Sequence, residues 1–323
     1  MPCGGDGVWL AALRVMMSES GNPEGERSVD VCVCTFRRPS VAGLLASLAK
    51  QILPPSLRVR VIVADNDDAP SARQIVLDAF QANRLDGIYL HAPARNISIA
   101  RNACLAAADA DLVAFIDDDE VARPDWLAGL VAEQRRAAAD VVFGKVNATY
   151  AADAPDWMRA ADLHSTPPPF RKGRIEGGYT CNVLMRRAAV GDLRFDPAFG
   201  RSGGEDTTFF AALKACGATM AYTAAAVVEE PVTPGRSSLK WLTDRAYRSG
   251  QTYGLVRLGR GESRLNVALA SLVKAMWCWG VAGLTLWSQA RWRRAVVRAH
   301  LHAGVMGAAL GRAPMELYGG AGG

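Results

Sequence analysis

Zinc-ligand spacing is missing from this chain. Its seven cysteines stand at 3, 32, 34, 104, 181, 216 and 278 with no Cys-x-x-Cys pair, and the four histidines at 91, 164, 300 and 302 are out of step with them. A zinc ribbon is excluded on that ground. An odd number of cysteines in no paired pattern fits a reduced, cytosolic chain whose thiols act as small core residues. A secretory signal is not expected: residues 8–17 are apolar, but no basic residue precedes them and acidic, glycine-rich sequence follows. No Gly-x-Gly-x-x-Gly follows the first strand candidate, which argues against a dinucleotide-dependent dehydrogenase. No glycine-rich phosphate loop stands there to support a nucleotidyltransferase, and internal repeats are absent. Carboxylates are scarce in one region only. Residues 236–312 carry 13 Lys and Arg against 2 Asp and Glu, whereas residues 1–235 carry 24 against 29. A basic end of this kind points to phosphate-rich material, membrane lipid or nucleic acid.

What is present is a regular alternation. From Val29 onward, short apolar runs at 29–36, 58–65, 87–91, 111–116 and 140–147 read as strands, and segments near 41–52, 71–83, 97–109 and 124–138 have apolar residues at helical spacing. Pro39, Pro70 and Pro124 fall near helix starts, where a missing N–H costs little. Strands alternating with helices of this length imply βαβ units and a mostly parallel, Rossmann-like α/β sheet flanked by helices. After Tyr150 the regularity stops at a long loop carrying Pro155, Pro167, Pro168 and Pro169, expected to be a lid or acceptor-facing segment. A mixed section follows, with a helix expected at 205–215 and a strand near 218–228. The expected organisation is a flexible leader over 1–28, a catalytic domain over 29–235 and a basic helical region over 236–323.

The most informative run is Asp117-Asp-Asp-Glu120, directly after the strand candidate ending in Phe115-Ile116. The C-terminal ends of strands in an open α/β sheet form the ligand crevice. On extended backbone Asp117 and Asp119 share a direction, and two like charges so close call for a cation or a shared proton. Carboxylates with water suit magnesium or manganese, which in turn hold phosphates. Other polar residues end on the same edge: Thr35-Phe-Arg37-Arg38, Ala64-Asp65-Asn-Asp-Asp68, and Arg95-Asn96 through Arg101-Asn102. Carboxylates for hydroxyl and ring N–H donors, together with arginines for phosphate oxygens, are what a nucleoside diphosphate needs. A second acidic site, Gly203-Gly-Glu205-Asp206, opens the 205–215 helix, where capping alone would justify the acids. The two glycines allow close approach, and a carboxylate there would activate an acceptor hydroxyl as a general base.

In order and spacing, Cys32-Val-Cys-Thr-Phe-Arg37, Ile62-Val-Ala-Asp65, Ala100-Arg-Asn102, Phe115-Ile-Asp-Asp-Asp119 and Gly204-Glu-Asp206 resemble family 2 inverting glycosyltransferases of the GT-A fold. Bacterial exopolysaccharide enzymes of the succinoglycan-biosynthesis type are the particular likeness, over about 29 to 260. The resemblance implies transfer of a sugar from a nucleoside-diphosphate donor, expected to be a UDP-sugar, to a saccharide or lipid-linked saccharide, with a divalent metal (Mg2+ or Mn2+). It implies that Thr35, Arg37 and Asp65 contact the nucleoside and that Arg101 lies near base or phosphates. Asp117, with Asp118 beside it, would face the ribose, and Asp119 would ligate the metal. Asp206 would be the catalytic base and Glu205 would help place the acceptor, while Gly178 and Asn182 would line the sugar pocket. Many relatives carry a metal-binding His after the next strand. Here Val227-Val-Glu-Glu230 occupies that place, so Glu229 or Glu230 would substitute.

Residues 265–287 hold a single charge, Lys274. As a helix they would reach about 34 Å at ~1.5 Å per residue, enough for a bilayer core of about 30 Å. Both flanks are basic, against the asymmetry a single span prefers, and three tryptophans suit the headgroup level. The expectation is a helix lying in an anionic membrane surface on the cytoplasmic side of the inner membrane, with no nucleic acid partner. Packing on the catalytic domain and a true span are the alternatives. A non-catalytic sugar-nucleotide or membrane-surface binding protein is the competing class.

Overall fold

The computed structural model describes residues 27–315 apart from 166 and 172, so most of the leader assigned to 1–28 lies outside the described residues. An eight-stranded sheet organises the domain, in the order β3-β2-β1-β4-β9-β6-β10-β5. The strands are β1 (Arg27–Thr35), β2 (Leu57–Asp65), β3 (Gly87–His91), β4 (Leu112–Ile116), β5 (Val121–Ala122), β6 (Val141–Tyr150), β9 (Asn182–Arg186) and β10 (Met220–Val232). A separate hairpin pairs β7 (Phe170–Arg171) with β8 (Arg174–Ile175). In the large sheet β1 through β4 run parallel, as do β6 and β10, while β9 runs antiparallel to both β4 and β6. The sheet is therefore mostly parallel with an antiparallel strand wedged into its middle.

Helices α1 (Val41–Leu48), α2 (Arg73–Asn83), α3 (Ile97–Ala107) and α4 (Trp126–Ala137) follow β1, β2, β3 and β5 and cover the two faces. Strand alternation sorts the core accordingly. Val29, Val31 and Val33 join Leu44, Leu45 and Trp126 on one face, and Cys32 joins Phe115, Phe143 and Phe210 on the other, with Cys34 packed against it. Cys32 and Cys34 thus share a face, as their spacing requires. The helix after β1 stops at Leu48 rather than 52, ahead of Pro54-Pro55, which holds the preceding backbone extended.

The proline-bearing segment after Tyr150 contains the short helix α5 (Asp156–Ala161), and α6 (Arg187–Val190) follows β9. Helix α7 (Glu205–Ala215) opens where the sequence places it. Beyond β10 come three helices of equal length, α8 (Leu239–Gly259), α9 (Arg264–Leu284) and α10 (Gln289–Ala309). They run up, down and up. Bare backbone packs between α8 and α10: a Cβ on Gly250 would overlap the Leu301 carbonyl, and one on Gly304 would overlap that of Tyr247. Helix α9 lies against α10 through small residues, with Ala282 beside Ala295 and Val296. Its buried stripe is Val267, Ser271, Ala275, Cys278 and Ala282, while Leu269, Val273, Met276 and Trp277 face outward.

Candidate active site

Parallel β1, β2 and β4 deliver their C-terminal ends to one edge, with Thr35 in register with Asp65 and Asp117 one residue beyond Ile116. The acidic run does not project as a uniform brush. Asp118 is buried, accepting from Thr35 Oγ1 at 2.7 Å and from Arg38 Nη1 at 2.8 Å. Burial pushes its carboxyl up to about 6 despite those two partners. Glu120 is buried too, one oxygen accepting from the Asp117 amide at 3.0 Å while Oε1 has no hydrogen-bond partner. Burial and then the neighbouring charges of Asp117 and Glu230 raise it well above the carboxylate range. Asp117 and Asp119 are the partly exposed members.

Two arginines that the motif reading left out as site residues neutralise this edge. Arg38 Nη1 lies 3.0 Å from Asp119 as well as against Asp118. Arg236, in the one-turn 3-10 segment after β10, places Nη2 3.2 Å from Asp119 and Nη1 2.8 Å from Glu230. Arg37, the residue before Arg38, goes elsewhere. Its backbone adopts a φ of 55°, which turns the chain, and its guanidinium forks onto Asp67 with both contacts at 2.9 Å. That pairing draws the Asp67 carboxyl down to about 2.

A strut joins the acidic run to the second site. Arg101, on α3, is buried and ion-paired to Glu205, with Asp117 at 3.9 Å, and its guanidinium sits 5.6 Å from the Phe195 ring centroid. Asn102 grips the Phe195 backbone with two bonds of 2.8 Å, fixing the loop that leads to α7. Asp206 accepts from the Thr207 amide at 2.6 Å through Oδ1. Burial, and then the Glu205 charge, pushes the Asp206 carboxyl up to about 7. A carboxylate poised there is matched to taking a proton near neutral pH.

Several of the expected site residues have partners within the protein. Glu205 does not stand free for an acceptor: it is buried and holds Arg101. Asn182 borders a small pocket with Phe143, Pro168, Tyr179 and Cys181. Its amide accepts from Trp126 Nε1 at 2.9 Å and donates to the Lys145 and Ala226 carbonyls, so every polar atom is engaged inside the domain. Gly178 packs its Cα against the Phe143 ring. Asp65 is fully buried and spends its oxygens on the Asp67 and Ala72 amides and the Tyr89 hydroxyl, so in this conformation it shapes the 66–72 loop. The glycines before Glu205 do admit a close neighbour, but that neighbour is α8: Thr252 abuts Gly204 and Arg248 abuts Gly203. Of the two candidate third ligands, Glu229 faces away and binds Arg123 and Asn147, leaving Glu230 on the cleft side.

Among the described residues no three His, Cys, Asp or Glu side chains form a ready cage for a metal. The donor chemistry nevertheless fits a hard ion. Magnesium-type ions are commonly held by one or two carboxylates, water and the substrate's own phosphates. Asp119 and Glu230 offer those carboxylates, beside the orphaned Glu120 Oε1.

The family model described as "Glycosyl transferase family 2" matches residues 30–194, which include the acidic run. Along nearly its whole length the chain is also 46% identical, over 302 residues, to the succinoglycan biosynthesis protein ExoM of Rhizobium meliloti, covering 92% of this chain and 97% of that one. The chain belongs to glycosyltransferase family 2. A more distant relative, the pre-mycofactocin glycosyltransferase of Mycobacterium tuberculosis, is 28% identical over 239 residues, or 71% of this chain and 48% of its own. Among solved structures, S. aureus TarS 1–349 superposes with a TM-score of 0.51 at 18% identity, covering 88% of this chain and 92% of that one. That likeness concerns the fold: the GT-A type of sheet expected from the motifs is the one observed, with the apolar C-terminal helix in place. The candidate site so described joins residues at or next to β1, β4, α3, α7 and β10.

Proposed function

We propose that this glycosyltransferase moves a sugar, with inversion, from a nucleoside-diphosphate sugar to a hydroxyl of a saccharide acceptor, in a polysaccharide-building sequence. The supporting observation is Asp206, a carboxylate raised to about 7 at the head of α7 and linked through Arg101 to the acidic edge of the sheet. In the single displacement, the acceptor oxygen bonds to the anomeric carbon as the bond to the diphosphate oxygen breaks. The acceptor proton goes to Asp206, and the electron pair leaves with the nucleoside diphosphate. One base without a separate nucleophile implies inversion. Asp119, assisted by Glu230, would hold a divalent ion, which when bound supplies charge neutralisation for the departing diphosphate. Arg37 and Thr35 support the nucleoside end, and Asp117 is the carboxylate placed for the ribose hydroxyls.

The acceptor is proposed to be lipid-linked. Among the described residues α9 is the one helix long and apolar enough to cross a membrane, yet most of it lies on the surface of the protein. Its large side chains face outward beside Arg264, Arg291 and Arg298, the arrangement of a helix seated in an anionic membrane surface. The earlier alternative of α9 packing on the catalytic domain is not favoured, since its small stripe packs mainly within the helical bundle.

The test is nucleotide release from a panel of nucleotide sugars, UDP-sugars first, with and without acceptor saccharides. Asp206→Asn keeps the Thr207 contacts but removes the proton acceptor. It is expected to lose at least about a thousandfold in kcat, within the range a positioned base supplies together with its ordering role, while donor still binds. An active Asp206→Asn beside a dead Glu205→Gln would overturn the assignment.

A further inference from the structure

The geometry points to Arg236 as a resident cation that we propose fills the gap between Asp119 and Glu230 in the ligand-free enzyme and transfers to the donor's diphosphate on binding. This rests on the reading of Asp119 and Glu230 as metal-holding carboxylates. The guanidinium bridges the two, 3.2 Å from Asp119 Oδ2 and 2.8 Å from Glu230 Oε1, and among the described residues it is the one arginine ion-paired with both. Two carboxylates beside the buried Glu120, whose Oε1 has no partner, would repel one another without a cation among them.

Arg236 is mounted for such a task. Its backbone carbonyl lies 3.2 Å from His164 Nε2, its guanidinium carbon lies 5.8 Å from the Trp241 ring centroid, and Trp241 in turn stacks on His164 with ring planes 13° apart. His164 comes from the proline-rich lid and Trp241 from the start of α8, so lid and bundle clamp the turn from two sides. The backbone is held while the side chain, about a quarter exposed at 23%, opens to the cleft. Arginine presents a planar fork suited equally to two carboxylates or to phosphate oxygens, so one side chain serves both states. With donor and a divalent ion bound, Asp119 and Glu230 would hold the ion in place of the guanidinium. The released fork then meets the negative charge that develops on the leaving diphosphate. Arg38 is shared between Asp118 and Asp119 and does not reach Glu230, so it remains on Asp119 when Arg236 leaves.

The proposal makes Arg236 a competitor of the metal when no donor is present. Manganese alone, titrated into full-length wild type and R236Q with the free ion read by electron paramagnetic resonance, measures this directly. R236Q is expected to bind Mn2+ about tenfold more tightly, the worth of one lost charge-assisted pair. At saturating Mn2+ it should show a raised KM for donor and a lower kcat, because the fork no longer meets the diphosphate. R236K, which keeps the charge but not the fork, should fall between the two in Mn2+ affinity, and it carries the comparison if R236Q does not fold. Mn2+ affinity unchanged or weakened in R236Q, or no Mn2+ binding by any of the three proteins, overturns the exchange. Metal-dependent nucleotide release by wild type together with an unmoved Mn2+ affinity in R236Q sinks Arg236 while leaving the transferase reading intact.

Discussion

The α/β domain and the C-terminal bundle bury opposite kinds of side chain. In the domain the largest fully buried residues include Trp126, Phe143, Phe195 and Phe210. In the bundle the interior is mostly glycine, alanine, serine and cysteine with a few valines such as Val267 and Val305, and the bulk faces outward: Trp277 is 74% and Trp287 77% exposed. Burial of apolar area stabilises a domain at about 25 cal/mol per Å2, and the bundle leaves much of that area in contact with solvent. Close helix packing through small residues with large apolar side chains outside is the arrangement that suits lipid contact. One chain therefore carries one region that buries its bulky apolar side chains and another that displays them.

The comparison breaks first at tryptophan. Trp126→Ala should cost about 3–5 kcal/mol in urea unfolding, since it empties a buried site and strips Asn182 of its donor. A double change of Trp277 and Trp287 to serine should move stability by no more than about 0.5 kcal/mol, yet markedly reduce cosedimentation with vesicles containing anionic lipid. If those two changes destabilise as Trp126→Ala does, or leave vesicle binding untouched, the outer face of α9 has another occupant. Truncation near Gly261 is a poorer probe, because it removes α10, which packs along α8.

Gly304 sharpens the same contrast from the inside. Gly304→Val has no space against the Tyr247 carbonyl and Gln251, and should destabilise by about 1–3 kcal/mol, read by thermal unfolding. The same change at Gly280 or Gly283, both open to surroundings, should cost about 1 kcal/mol or less.

The smallest effect distinguishes the regions by pH. As the proposed base, Asp206 would have to be ionised to act, and its carboxyl is raised to about 7, so kcat/KM should fall about tenfold per unit below pH 7. The linkage runs the other way for stability. A carboxyl whose folded pKa lies above its unfolded value of 3.8 favours the native state at low pH, and that contribution is lost as pH rises from about 4 through 7. Asp206→Asn should therefore unfold at a higher temperature than wild type at pH 8, with the gap closing toward pH 4. Vesicle binding, which rests on arginines and apolar side chains, should stay level over pH 6–8.

Much of the domain is legible in the sequence because strands and helices there declare themselves by local period. Strands 58–65 and 87–91 lie within a residue of their observed bounds, and the 205–215 helix coincides with them. The strand at Asn182–Arg186 is not announced, since five residues without flanking turn signals cannot be told from loop. The long helix α8 was anticipated only as part of a helical region, because its glycines weaken helical propensity and pay off only against α10.

The site divides in the same way. That acids stand at the end of β4 and the start of α7 is a property of the sequence, since an element's end is set by nearby residues. Which acid faces the cleft is not. Arg37 and Arg38 are adjacent yet reach different carboxylates because the backbone turns between them, and Asp119 meets Arg236 from 117 positions away. Glu205 and Asp206 are neighbours, but only one is consumed by Arg101. By itself the sequence determined the alternating α/β order, the acidic strand end and the basic, apolar tail, all written in short-range pattern. The tertiary structure alone decided which charges are paired, which are buried and which face of α9 looks outward. Those outcomes depend on partners that the chain brings together only after it has folded.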